Sequence, residues 1–76
     1  MMDILWNSRV LGAMQAHAFL TEEESIVLTD WAHRRSIANT AMMHHMSESK
    51  VKRLRKRLRL KYDGIQGYAG LPARTR

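Results

Sequence analysis

The chain has 76 residues, so it can hold one domain and little else. It contains no cysteine, which excludes disulfide bonds and thiolate metal sites, and it has no run of 18 or more apolar residues, so neither a membrane span nor a membrane partner is expected. The formal net charge of +6 is concentrated in one segment, and this one-sided distribution favours a polyanion as the partner.

The first predicted helix covers roughly residues 3–18, although Asn7 or Ser8 can instead cap a shorter helix that begins there. Its apolar side chains recur at helical spacing and form a single stripe. This stripe has two interpretations: it packs the segment as a fourth helix beside Ile26, or it pairs two copies of the chain as a homodimer. The stripe consists of Ile4, Leu11, Met14 and Ala18.

The second predicted helix, about residues 22–33, begins with a clear start signal. Thr21 and Glu24 match a capping box, in which the hydroxyl and the carboxylate each accept a hydrogen bond from an otherwise unpaired backbone N–H. Three acids in the first turn suit the positive end of the helix dipole. The buried face is formed by Val27, Leu28 and Trp31.

A short third helix, over residues 36–45, is predicted to begin at Ser36, a favourable N-cap residue. Met42 and Met43 are interpreted mainly as core residues, with a soft interaction surface as the alternative. His45 then occupies the turn, and histidine tolerates the left-handed backbone conformation better than most residues. The inner face is expected to carry Ile37, Thr40, Ala41 and His44.

The fourth predicted helix, residues 47–62, begins at the N-cap Ser47, and Met46 is placed to pack on Val51 as a hydrophobic staple. Gly64 is interpreted as a stop signal, after which residues 64–76 form a flexible basic tail. The core-facing stripe of the helix is Val51, Leu54, Leu58 and Tyr62.

Together these elements predict an all-α fold, a small three- to four-helix bundle that contains a helix-turn-helix. Three segments are expected: residues 1–19 as an N-terminal helix for packing or dimerisation, residues 20–63 as the helix-turn-helix domain, and residues 64–76 as the tail. The residues expected to be largely buried are Val27, Leu28, Trp31, Ile37, Ala41, Met46, Val51, Leu54 and Leu58.

Residues 20–63 resemble the helix-turn-helix of sigma-factor region four and of LuxR-type response regulators. The matching features are a Leu-Thr-x-x-Glu segment, an alanine in the short helix and a Ser-x-x-x-Val step that leads into a basic run. The resemblance implies a transcription factor that binds double-stranded DNA, either a regulator or a sigma-like part that contacts RNA polymerase. The matching stretches are Leu20-Thr21-Glu22-Glu23-Glu24, Val27-Leu28, Trp31-Ala32, Ala41 and Ser47-Glu48-Ser49-Lys50-Val51-Lys52.

The fourth helix carries eight basic residues and no acid over residues 50–61. Opposite its core-facing stripe lie the candidates for reading bases in the major groove, and one flank holds the candidates for phosphate contacts. Arg55 and Arg59, on the other flank, are expected to pair with acids of the second helix such as Asp30. The base-reading candidates are Ser49, Lys52, Arg53 and Lys56, and the phosphate candidates are Ser47, Lys50, Arg57 and Lys61.

Other functions find less support in the sequence. No nucleophile lies beside a base, so an enzyme is not expected, and His44 and His45 diverge on a helix, so no metal site or other cofactor is expected either. A basic amphipathic helix can also bind a membrane or a calmodulin-like partner, but this apolar stripe is narrow and suits a core edge.

The principal alternative function is an adaptor that binds RNA polymerase or a packaging assembly of a phage or mobile element. No signal peptide is evident, because no basic region followed by an apolar run opens the sequence. A cytoplasmic location is therefore expected for either function.

Overall fold

A computed structural model describes residue 4 and residues 6–72 of the chain. Within them the backbone forms helices and no strand, which confirms the predicted all-α class. The predicted start of the first helix at residue 3 lies outside the described residues. The helices are α1 (Ser8–His17), α2 (Glu22–Ala32), α3 (Ile37–Met43) and α4 (Glu48–Gln66).

Each helix begins at a side chain that accepts a hydrogen bond from a backbone N–H of the first turn, a group that has no partner inside the helix. The caps predicted at Thr21, Ser36 and Ser47 are all confirmed, as is the reciprocal bond that completes the Thr21–Glu24 capping box. For α1 the shorter alternative is correct, because Asn7 is the N-cap and its side chain accepts from Val10 at 3.0 Å.

The core is built around α4, against which α1, α2 and α3 all pack. The α4 side chains that line it are buried at successive steps of three and four residues, which places them on one face. Trp31, Ile37 and Met46 pack against this core but remain partly exposed. The other residues predicted to be buried are so: Val27, Leu28, Ala41, Val51, Leu54 and Leu58.

The N-terminal stripe is part of the same core. Ile4, Met14 and Ala18 are buried within the single chain, so they are not available to pair two copies, and a homodimer stays a prediction that needs another surface. Packing as a fourth helix occurs, but against α4. Ile26 lines a cleft that includes His44, and its contact with the N-terminal helix stays a prediction.

Residues 64–72 differ from the flexible tail predicted over residues 64–76, and residues 73–76 lie outside the described residues. Helix α4 continues through Gly64 to Gln66, and the chain then turns so that Leu71 is buried. Ile65 is also buried, because it follows Tyr62 by three residues and extends the same face. A glycine on the exposed side of a helix weakens it without ending it, and the burial of Ile65 offsets that cost.

The helical state of Gly64 leads to a stability prediction. Nothing lies within 4 Å of a Cβ added at this position, so Gly64→Ala is expected to stabilise the protein by about 1 kcal/mol in urea unfolding. Gly70→Ala is the matched control, since Gly70 has a φ of +69° and is expected to lose stability on the same substitution. A Gly64→Ala protein no more stable than wild type would place the end of α4 before residue 64.

Three connections each contain a non-glycine residue in the left-handed region. His45 has a φ of +54°, as its position in the turn predicted, and Phe19 and Arg34 have φ values of +52° and +62°. Met42 and Met43 are exposed, so their interpretation as core residues is wrong. Helix α3 is short, and its packing against α4 buries Thr40 and Ala41 instead.

Candidate nucleic-acid interface

The first turns of α4 are fixed by a cap at the N-terminus of the helix and by apolar side chains that pack into the core. The Ser47 hydroxyl accepts a hydrogen bond from the backbone N–H of Lys50 at 3.0 Å. Val51 is fully buried, and Met46, immediately before the cap, packs against the same core. A helix anchored in this way presents its exposed side in a defined orientation, which a helix that reads bases requires.

The exposed side of α4 carries the four predicted base-reading side chains, and all of them are exposed. None forms an ion pair or a side-chain hydrogen bond within the described part of the chain. The donors of two lysines and an arginine are therefore available to a partner. Leu60 lies on the same side of α4 and is 60% exposed. The four base-reading candidates, Ser49, Lys52, Arg53 and Lys56, form what we call the outer face of α4.

The predicted phosphate flank is arranged differently, because acids at the start of α2 neutralise its cations. Lys50 pairs with Glu23 at 2.5 Å, while Lys61 and Arg57 approach Glu24 at 2.5 Å and 3.2 Å. The Ser47 hydroxyl, also a phosphate candidate, is used as the helix cap. Lys50, Arg57 and Lys61 therefore already contact carboxylates of the same chain, and the Ser47 hydroxyl already accepts from a backbone N–H.

Glu24 links α2 to this flank. Its side chain is fully buried, and burial alone would raise its pKa. The hydrogen bond from Lys61, the backbone N–H of Thr21 and the charges of Lys61 and Arg57 outweigh that effect and hold the pKa below its ordinary value. Glu24 is therefore a buried anion that fixes two α4 cations against the N-terminus of α2.

The opposite flank of α4 lies against Trp31, where the guanidinium carbons of Arg55 and Arg59 lie 4.7 Å and 4.9 Å from the ring centroid. The predicted pairing of Arg55 with Asp30 is wrong, because Arg55 donates to the backbone carbonyl of Arg35 instead. Desolvation by burial, with the nearby charge of Arg59, lowers the pKa of Arg55. This flank therefore joins two cations to one aromatic ring.

Asp30 is occupied by two other side chains. Arg35 donates to one of its oxygens at 2.7 Å, and His44 Nε2 lies 2.9 Å from the other. Burial tends to raise the pKa of Asp30, but these two partners outweigh it and the pKa is lowered. His44 thus fixes the end of α3 to α2 through a polar contact.

The described histidines and helices bear on two other kinds of site, a metal site and a membrane-spanning segment. In residue 4 and residues 6–72, no three His, Cys, Asp or Glu side chains lie close enough together to hold a metal ion. His17 contacts Tyr68 edge-on, and His33 bonds to the Thr29 carbonyl. No helix of that same part of the chain is both long and apolar enough to cross a membrane.

Comparison with known protein families, with curated proteins and with solved structures found no match for this chain. The likeness of residues 20–63 to sigma-factor region four and LuxR-type domains therefore rests on the residue pattern alone. Independently of that pattern, α4 presents an exposed basic face between one flank that is paired with acids and one that lies against Trp31.

Proposed function

We propose that the protein binds double-stranded DNA in a sequence-specific manner and acts in transcriptional control in the cytoplasm, with α4 in the major groove. The observation that carries the proposal is the outer face, whose cations have no carboxylate partner in the described part of the chain. The major groove, about 12 Å wide, admits an α-helix. Arg53 lies near the centre of the outer face, and its planar guanidinium suits the two acceptors of a guanine edge.

The arrangement of α3 and α4 agrees with this role. Helix α3 is short and packs against α4. His45 adopts the left-handed conformation in the turn between them, and Ser47 caps the N-terminus of α4. In a helix-turn-helix the second of two such helices enters the groove and the first crosses the DNA backbone.

The salt bridges of α4 change what is expected of the phosphate candidates. Lys50, Arg57 and Lys61 must exchange a carboxylate for a phosphate when DNA binds, so each adds less affinity than an unpaired cation does. Arg57 exchanges most easily, since its side chain is 55% exposed while that of Lys61 is 27% exposed. The proposed duplex contacts are therefore centred on the outer face, with Arg57 as the first phosphate contact beside it.

Two single substitutions test this proposal. Arg53→Ala is expected to cost about 1–3 kcal/mol on the preferred site and much less on random DNA, because base contacts carry the specificity. Arg57→Ala is expected to weaken all sequences alike and to lower the slope of log K against log salt by at most about one unit. Both affinities are measured by fluorescence anisotropy, on a site selected from a random duplex pool.

Arg53 has no partner among the described residues, and Glu24 keeps Lys61 as a partner when Arg57 is removed, so circular dichroism should show that the two variants remain folded. If Arg53→Ala weakens every sequence equally, α4 binds phosphates without reading bases. If neither variant changes affinity, α4 is not the DNA surface and the proposal fails.

A second candidate function, an adaptor for RNA polymerase or for a phage or mobile-element packaging assembly, is favoured by exposed apolar side chains. Phe19 is 88% exposed and Met42 is 71% exposed. Salt dependence separates the two functions: a DNA-binding protein loses orders of magnitude in affinity between low and physiological salt. An adaptor shows no such loss and co-purifies with its protein partner.

A further inference from the structure

A cleft of about 490 Å³ lies between the N-terminal segment, the C-terminal end of α2 and the flank of α4 that carries Arg55. Its volume falls within the roughly 300–1,000 Å³ of small-ligand sites. Its lining combines two indole rings with three arginines, and the proposed DNA contacts use none of these residues. They are Trp6, Trp31, Arg34, Arg35 and Arg55.

The aromatic part of the cleft is already arranged as a stacking surface. Trp6 and Trp31 lie with ring centroids 5.1 Å apart at an angle of 60°, and Tyr62 supports Trp6 edge-on at 6.2 Å. Both indoles remain partly exposed. The guanidinium groups of Arg55 and Arg59 already lie over the Trp31 ring, so a planar aromatic ring that enters the open cleft would stack on the exposed part of the Trp6 indole.

Among the described residues, Asp30 is the carboxylate bonded to an arginine of this lining, and its two partners are Arg35 and His44. Arg55 and Arg59 approach the same indole ring, and each guanidinium raises the electrostatic cost of the other. An anion between Arg34 and Arg55 would relieve this repulsion, and a guanidinium fork matches the oxygens of a phosphate.

Two unpaired donors also point to a ligand. Trp6 Nε1 and Arg55 Nε are both buried without an acceptor among the described residues, so an acceptor brought into the cleft would satisfy donors that are now unpaired.

We propose that this cleft is a second site, which binds a nucleoside phosphate with the base stacked on the Trp6 indole and the phosphate between the arginines. Arg55 lies about 160° around α4 from Arg53, at 100° per residue. The duplex proposed for the outer face and the nucleotide in the cleft can therefore be bound at the same time. This inference does not depend on the DNA-binding proposal.

Trp6 and Trp31 are the two tryptophans of the chain, so intrinsic fluorescence reports directly on the cleft. Titration of the full chain with adenosine monophosphate should give saturable quenching, while adenosine and inorganic phosphate should each bind at least about tenfold more weakly. If adenosine matches the nucleotide, the arginines make no contact and the assignment fails. Equal binding of inorganic phosphate would overturn it as well, because stacking would then contribute nothing.

Arg34→Asn is the sharpest variant, since Asn tolerates a positive φ and the exposed side chain supports no core contact. It should weaken nucleotide binding about tenfold, the loss expected for one charge-assisted contact. Arg53→Ala, on the outer face, is the matched control and should leave nucleotide affinity unchanged. Absence of saturable quenching up to millimolar nucleotide, or displacement of bound duplex DNA by the nucleotide, would overturn the second site.

Discussion

Leu58→Ala is expected to destabilise the protein by about 2–5 kcal/mol, the range for truncating a leucine in a core. Leu58 is fully buried in α4, the helix against which the other three pack, so the cavity would lie at the centre of the only core cluster of the described residues. The total free energy of unfolding of a domain of this size is roughly 4–11 kcal/mol. At about 4–8 °C per kcal/mol the melting temperature should fall by at least about 8 °C.

The chain contains its own control for this experiment. Leu60 is two residues further along the same helix but is 60% exposed, so Leu60→Ala removes the same atoms and should change stability by less than about 0.5 kcal/mol. Calorimetric melts of the two variants give the comparison directly. Equal effects at the two positions would mean that the inner face of α4 has been misassigned.

The second large effect is expected at Glu24. Glu24→Ala removes a hydrogen bond from a charged donor, worth about 1.5–3 kcal/mol, and half of a capping box, worth about 0.5–2 kcal/mol. The cost should be about 3 kcal/mol, because Arg57 and Lys61 are partly exposed and can turn into water. Glu24→Gln is the matched variant: it can still accept from the Thr21 N–H but carries no charge, so its loss should be smaller.

The pH dependence separates the charge of Glu24 from its packing. The folded-state pKa lies below the ordinary value of 4.5, so the carboxylate contributes stability above that value and loses it as the pH falls through the folded pKa. The stability difference between wild type and Glu24→Gln should therefore be full at pH 6 and shrink below about pH 4.5. A difference that does not change with pH would mean that the charge contributes nothing.

Glu24→Gln also bears on DNA binding. It frees Arg57 and Lys61 from their carboxylate, and both cations then meet phosphates without an exchange. The variant should bind random duplex DNA more tightly than wild type and with a steeper salt slope. An unchanged slope would place this flank of α4 away from the duplex.

The features that were predicted correctly from the sequence are those that depend on near neighbours. A cap joins residues three positions apart, as Thr21 and Glu24 do, and the buried face of a helix repeats every three or four residues. Both patterns are visible in the sequence alone. The end of α4 was mispredicted because Gly64 is a local signal, whereas the burial of Ile65 and Leu71 depends on the finished core.

The partners of the charged residues depend on tertiary structure, and the sequence does not specify them. Glu24 and Lys61 are 37 positions apart, and nothing in their spacing distinguishes this pair from others that are equally complementary in charge. Asp30 was expected to pair with Arg55 or Arg59, whereas the turn after α2 brings Arg35 against it and the end of α3 brings His44. The cleft between Trp6 and Trp31 was missed for the same reason, since it forms only when the N-terminal segment returns to α2.

The central place of α4 has a consequence for how the protein is made. Synthesis proceeds from the N-terminus at about 5–20 residues per second, so α1, α2 and α3 leave the ribosome before the helix that they pack against. Their apolar faces, including those of Met14, Val27 and Leu28, stay without a partner until α4 has emerged. The domain therefore completes its core only after α4 has emerged, and the first three helices of the nascent chain stay exposed for the seconds that the synthesis of α4 takes.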